Sequence, residues 1–449
     1  MTVKEIKITY TEICNNLVER KLKPAFKQLE KLISENSLGT YNDEYRKLEE
    51  TYRYMLKYTV EGIKDPERQK VYQKLIVSVF ELADKVNEAL RLKYSPSVEY
   101  EKKRVFSKQI ITDMETYVSG LEDYYVDDEL KSLVGNKPEK ETQPDTFEEH
   151  QQKIFRLFYH FWFRDELKNG EKETLNEFIA NPLLPVEYRS FIVSGVMLSL
   201  QRFFDPQKFA VLFDAYEVEE PEINQRALVA LLINFYKYDL RLPYFPEITG
   251  RLKILNENPE FKRNLERVIV QFIRSKETEK IQQKIRDEII PEMIKISPNL
   301  KDKINLDSLM EEGLGEDKNP EGEEIFKDSP GLMDKMEEFS ELQMEGADVF
   351  MGSFSMLKSF PFFNEIGNWF MPFYTDNPAI SNVVETDDNT NRQFVENIST
   401  APILCNSDKY SFCFSIQNLP ADNREFLAQG MKAEMDQLKE LEEDEEMVS

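Results

Sequence analysis

The sequence predicts an all-α protein: helical hairpins stacked as an α-solenoid, with a separate helical block at the C-terminal end. Three observations carry this. Apolar residues recur at three- and four-residue spacing through long polar runs, as they do on amphipathic helices. Only 15 of the 449 residues are glycine, few for a chain built on tight β turns. And one apolar pattern returns four times at a constant interval, the mark of stacked repeats.

Residues 1–133 read as N-terminal helical hairpins. "LKPAFKQLEKLISEN" sets Leu22, Phe26, Leu29 and Leu32 on one face. In "DPERQKVYQKLIVSVFELADKVNEALRLKY", Asp65 is placed as an N-cap, with Pro66 at the first helical position. Leu75, Val79, Leu82 and Val86 form its stripe. Short polar turns between long helices imply antiparallel neighbours. The polar "VGNKPEKETQPDTFEEH" (134–150), with two prolines and no periodicity, reads as a linker.

The repeated pattern occupies the next domain, 151–310. "IFRLFYHF", "FIVSGVML", "LVALLINF" and "LERVIVQF" start at Ile154, Phe191, Leu228 and Leu265, each 37 residues after the last. Four and seven residues on stand Phe158 and Phe161, Gly195 and Leu198, Leu232 and Phe235, Ile269 and Phe272. Leu175, Leu212 and Ile248 recur on the partner helices, and Asp205-Pro206 and Phe245-Pro246 mark two of their starts. A lone hairpin cannot cover its own apolar face, so such units must stack. Leu228 and Leu232 are therefore expected in the core.

Arg189, Arg226 and Arg263 share one register, each just before the second helix of its unit. In this the units of 151–300 resemble HEAT-like repeats, and more loosely TPR-like ones; "EINQRALVALLINF" is the nearest stretch. The resemblance implies an α-solenoid that binds other proteins. Eight residues before the first two arginines stand Asn181 and Val218 rather than aspartate, so the aspartate–arginine ladder of HEAT arrays is not expected.

An acidic tether follows, 311–348, with 14 acidic residues against three lysines. Met333, Met336 and Met344 lie among its glutamates as on a short amphipathic helix. The C-terminal helical block with its acidic tail is 349–449, and its ending on an acidic run without a cap fits a piece of a longer polypeptide. Its "SFPFFNEIGNWFMPFYTDNPAI" (359–380) is densely aromatic. On a helix starting at Pro361 and capped by Ser359, Phe362, Ile366, Trp369, Phe370 and Phe373 share a face. That stripe is expected to be core, packing on "KYSFCFSIQNL" (409–419), with Trp369 buried. Phe360, Phe363 and Tyr374 fall off the stripe, and Phe363 and Tyr374 are expected at a partly exposed rim.

Net charge is −26, which disfavours phosphate backbones and anionic membrane surfaces as partners and favours a basic protein or peptide. No apolar window is long enough to span a bilayer. The N-terminus lacks the apolar core of a signal peptide, so a cytoplasmic location is expected. Cys14, Cys405 and Cys413 form no disulfide framework or zinc pattern and read as small buried hydrophobes.

Chemistry-bearing motifs are few. Of the two histidines, His150 and His160, the second lies among aromatics in "FRLFYHFWFRD" and reads as a packing residue. There is no metal-binding histidine pair, no phosphate loop and no nucleophile elbow; "VSGVM" lacks the glycine before its serine. The acidic runs 387–393 and 442–446 lack calcium-loop spacing. The expectation is a non-catalytic interaction scaffold or adaptor without cofactors or metals. The alternative is a regulatory or positioning arm for a catalytic part outside this chain. Candidate partner contacts are Tyr188, Arg189, Arg226, Tyr236, Tyr238 and Arg263 on the array, and Phe363 and Tyr374 on the C-terminal block.

Overall fold

The computed structural model describes residues 2–61, 67–134, 147–168, 170–275, 356–381, 389–401 and 404–416, with isolated positions between 278 and 287. Among these every regular element is helical and none is a strand. The chain forms two compact units, Met1–Pro259 and Glu260–Ser449. The Asp65-Pro66 start, the tether 311–348 and the acidic tail lie outside the described residues.

The first unit opens with four helices around one apolar core. α1 (Val3–Val18) starts with a reciprocal cap: Thr2 Oγ1 accepts from the Glu5 amide, and the Glu5 carboxylate accepts from the Thr2 amide. α2 (Leu22–Glu35) buries Leu22, Phe26, Leu29 and Leu32, the stripe read from its sequence. α3 (Asn42–Val60) packs on α4 (Arg68–Tyr94), whose Leu75, Val79, Leu82 and Val86 are all buried. Each such side chain contributes about 1.5–3 kcal/mol of burial.

The remaining helices of this unit lie in two rows. α5 (Val98–Phe106), α7 (Phe147–Phe163), α9 (Val186–Arg202) and α11 (Pro221–Tyr238) contact one another in that order. α6 (Met114–Val134), α8 (Glu171–Ala180), α10 (Pro206–Tyr216) and α12 (Pro246–Leu255) form the second row. Pro206 and Pro246 open α10 and α12 as their sequences require, and Asp205 caps α10 by accepting from the Gln207 amide at 2.9 Å. Gly195 sets the closest approach in the first row. A Cβ there would come within 3.1 Å of both the Phe158 ring and its carbonyl. Without it, Phe158 stacks on Phe191 at 4.0 Å.

Ile154, Phe191 and Leu228 are buried, as are Leu175, Leu212 and Ile248 in the second row. Leu232 is only half-buried, against expectation. The buried stripe of α11 runs through Ala227, Leu231, Asn234 and Tyr238, turned so that Leu232 falls at its margin. In the second unit, α13 (Pro259–Arg274) leaves Ile269 and Phe272 of the fourth pattern 38% and 41% exposed, where core positions were expected.

The aromatic stretch of the second unit is not a helix. It forms three short 3-10 turns, Pro361–Asn364, Ile366–Trp369 and Pro378–Ile380; Glu365 between the first two is extended (φ −85°, ψ 109°) and its side chain accepts from the Gly367 amide. Phe360, not Ser359, stands at the first cap, without a side-chain bond. The packing expectation holds nonetheless. α14 (Asn389–Thr400) and α15 (Asn406–Ile416) complete the core, and Tyr410 of α15 meets Phe362 at 4.8 Å and Phe373 at 4.9 Å. Its hydroxyl donates to the Pro372 carbonyl at 2.8 Å and accepts from Asn377 Nδ2 at 2.9 Å.

Two positions exchange roles. Phe363, expected at the rim, is 6% exposed under Lys358 and Trp369. Trp369, expected in the core, is 46% exposed, its ring N–H donating to the Phe363 carbonyl at 3.0 Å. Losing the helix caused the exchange, since the spacing that aligned Trp369 with Phe362 required unbroken α geometry. Tyr374 is half-buried. All three cysteines are free; Cys413 is buried and Cys14 half-buried, but Cys405 is exposed rather than packed.

Candidate interaction interface

A connected set of buried and half-buried charges in the first unit joins α4 to the ends of the first-row helices. Asp84 and Glu88 lie one turn apart on α4 and are 3% and 4% exposed. A buried carboxylate is costly unless paired, and both are. Asp84 accepts from the Tyr10 hydroxyl at 2.5 Å and from Arg241 Nη1 at 2.6 Å. The Arg241 guanidinium also lies over the Phe204 ring at 3.9 Å. Glu88 accepts from the Tyr100 hydroxyl at 2.8 Å, from Lys103 Nζ at 2.7 Å and from Arg202.

Asp165, just after α7, closes the group by accepting from Lys103 at 2.7 Å and from Arg202. Burial pushes the Asp165 carboxyl up, but the charges of Arg202 and Lys103 outweigh it and hold it below the usual range. Lys208 Nζ donates to the carbonyls of Arg164 and Asp165, each at 2.6 Å, at the C-terminal end of α7 where a cation is favoured. Burial pulls this ammonium down to about 7 in spite of Asp205.

Nearby, Glu171 bonds the Lys168 amide at 2.7 Å and Arg164 Nε at 3.1 Å, with His160 Nε2 at 3.7 Å. Burial raises its carboxyl, but the adjoining imidazole, the amide and the guanidinium together hold it at about 2. These groups act as a lock: Arg202 ends α9, Arg241 follows α11, and α4 is fixed across both.

Local sequence spacing does not reveal this cluster. Its visible trace is Arg164, Arg202 and Arg241, each at the end of a first-row helix and 38 and 39 residues apart.

Of the candidate contacts, Tyr188, Arg189 and Tyr238 are buried rather than at an edge. Arg189 Nη1 donates to the Ile179 carbonyl at 3.4 Å, and the Tyr238 hydroxyl donates to the Leu200 carbonyl at 2.5 Å, so both tie neighbouring helices. Arg226 is half-buried and donates to Ser194 Oγ at 2.8 Å. Tyr236 is 86% exposed and Arg263 is exposed. The structure therefore divides this set between packing and surface instead of assembling one site.

An open surface lies at the α10–α11 connection, where Glu217, Glu219, Glu220 and Glu222 are exposed. Arg251 holds Glu217 at 2.9 Å, and Arg189 comes within 3.7 Å of Glu220. The equivalent α8–α9 connection exposes Leu183. Among the described residues no group of three His, Cys, Asp or Glu side chains is placed to hold a metal ion, and no helix is long and apolar enough to cross a membrane.

Comparisons with protein-family models, with curated proteins and with solved structures give no match for this chain.

Proposed function

We propose that this protein is a non-catalytic interaction scaffold, an α-solenoid of HEAT-like 37-residue units that holds a basic segment of a partner protein. The observation that carries the proposal is the exposed glutamate set Glu219, Glu220 and Glu222 at the α10–α11 connection and the first turn of α11, the helix that Arg241, just beyond its end, links to Asp84 of α4. Clustered exposed carboxylates attract a cationic segment, with Arg189 offsetting part of the charge at Glu220. The two-row packing and the recurrent burial of Ile154, Phe191 and Leu228 support the repeat reading. Three free cysteines are in keeping with a reducing, cytoplasmic setting.

Titration calorimetry of the full chain with a lysine-rich peptide tests the proposal. Binding is expected to weaken as salt rises and to fall at least tenfold in the variant Glu219→Lys/Glu220→Lys/Glu222→Lys. Equal binding by the variant would refute the assigned edge.

A further inference from the structure

The four N-terminal helices have a core of their own. Every buried residue of that apolar cluster, from Ile6 to Leu90, belongs to α1–α4. Of the half-buried side chains packed against it, Tyr244 alone comes from the helical rows. The chain passes from this bundle to the rows through Ser95-Pro96-Ser97, between α4 and α5. Ser95 and Ser97 are both extended (ψ 128° and 147°), and Pro96 has no amide to donate, so helical hydrogen bonding stops there.

The seam between bundle and rows is of another kind. α4 supplies the buried carboxylates of Asp84 and Glu88, and the rows supply the cations Arg241, Arg202 and Lys103. One pair has the reverse sense: Arg91 of α4 faces Glu99 of α5 at 4.0 Å and lies over the Tyr100 ring at 4.7 Å. Arg104 of α5 donates to the carbonyls of Leu92 and Ser95 at 2.8 and 3.1 Å. The Phe80 ring meets Tyr244 at 6.0 Å and the Arg241 guanidinium at 4.8 Å. α5 is held to the rows by apolar contact, with Phe106 against Tyr159 and Phe163 at 5.9 and 5.8 Å. When a charged seam parts, its ions regain water, whereas separating the helices of the bundle would expose the apolar cluster itself.

We propose that α1–α4 move as one body about Ser95–Ser97, and that Asp84 and Glu88 are the latch that holds them against the row ends. Opening uncovers Arg202 and Arg241, with the Phe204 ring beneath the second guanidinium, while the core of the bundle stays closed.

Double electron–electron resonance on the full chain tests the latch. Spin labels carried by an unnatural amino acid replace exposed Lys23 of α2 and exposed Glu247 of α12, leaving the cysteines untouched. One distance should dominate in the parent. Asp84→Asn/Glu88→Gln should raise the share of a longer distance at least tenfold, while hydrogen exchange of the α4 amides stays slow. Lys85→Gln, which removes the pair with Glu44 inside the bundle, should leave the distances of the parent. The single variants Asp84→Asn and Glu88→Gln should shift the distribution in the same direction, and they decide the matter if the double variant does not fold. Unchanged distances in the folded latch variants, the same change in Lys85→Gln, or a longer distance that appears only as α4 exchange becomes fast would overturn the proposal.

Discussion

Replacing Glu88 by glutamine keeps the shape of the side chain and removes its charge at the centre of the α4 lock. Lys103 and Arg202 are then left sharing only Asp165, whose side chain is 43% exposed. The Arg202 side chain is fully buried and cannot turn to water. Breaking a buried pair costs about 3–5 kcal/mol, chiefly through the charge left behind. Because Asp165 remains, the lower end applies, about 3 kcal/mol. For the first unit, Met1–Pro259, each kcal/mol moves the melting temperature by about 2 °C, so Glu88→Gln should lower it by about 6 °C. Denaturant titration of the same variant supplies the free energy directly. The double variant Glu88→Met/Arg202→Met should be less destabilised than Glu88→Gln, since no guanidinium is stranded. A loss under about 1 kcal/mol for Glu88→Gln, or a double variant worse than the single one, would refute the lock.

Other outcomes follow from burial and titration. Leu228→Ala should cost about 2–5 kcal/mol, whereas Leu232→Ala, at a half-buried margin, should cost less in the same denaturant titration. In the second unit, Phe363→Ala should destabilise by about 3–5 kcal/mol and Trp369→Ala by clearly less, reversing the order expected from sequence; melting of both variants decides it. The Glu171 carboxyl, held at about 2 when folded against 4.5 unperturbed, contributes stability that is complete above pH 4.5 and lost as pH falls toward 2. Stability measured across that range should therefore fall less steeply in Glu171→Gln than in the parent.

Much of the fold was legible because it is written in local spacing. The stripes of α2 and α4, the proline starts of α10 and α12, and the buried positions Ile154, Phe191 and Leu228 each follow from residues three, four or 37 apart. The α4 lock was not legible, because Glu88 meets Arg202 across 114 residues and Asp84 meets Arg241 across 157. Periodicity marks those carboxylates only as interruptions of an apolar face. Trp369 was misplaced for a different reason: one extended residue, Glu365, ends the helical register on which its alignment depended. At Tyr188 and Arg189, residue type suggested a surface, but tertiary packing took both side chains inward.

The central claim, that a packed helical frame presents clustered exposed carboxylates to a basic partner, is tested most directly by affinity capture of the full chain from its native cell. Quantitative mass spectrometry would compare the parent with Glu219→Lys/Glu220→Lys/Glu222→Lys. The account predicts a stoichiometric partner with a basic segment, eluted by salt from the parent and absent from the variant. Equal recovery of every bound protein by both chains would contradict it.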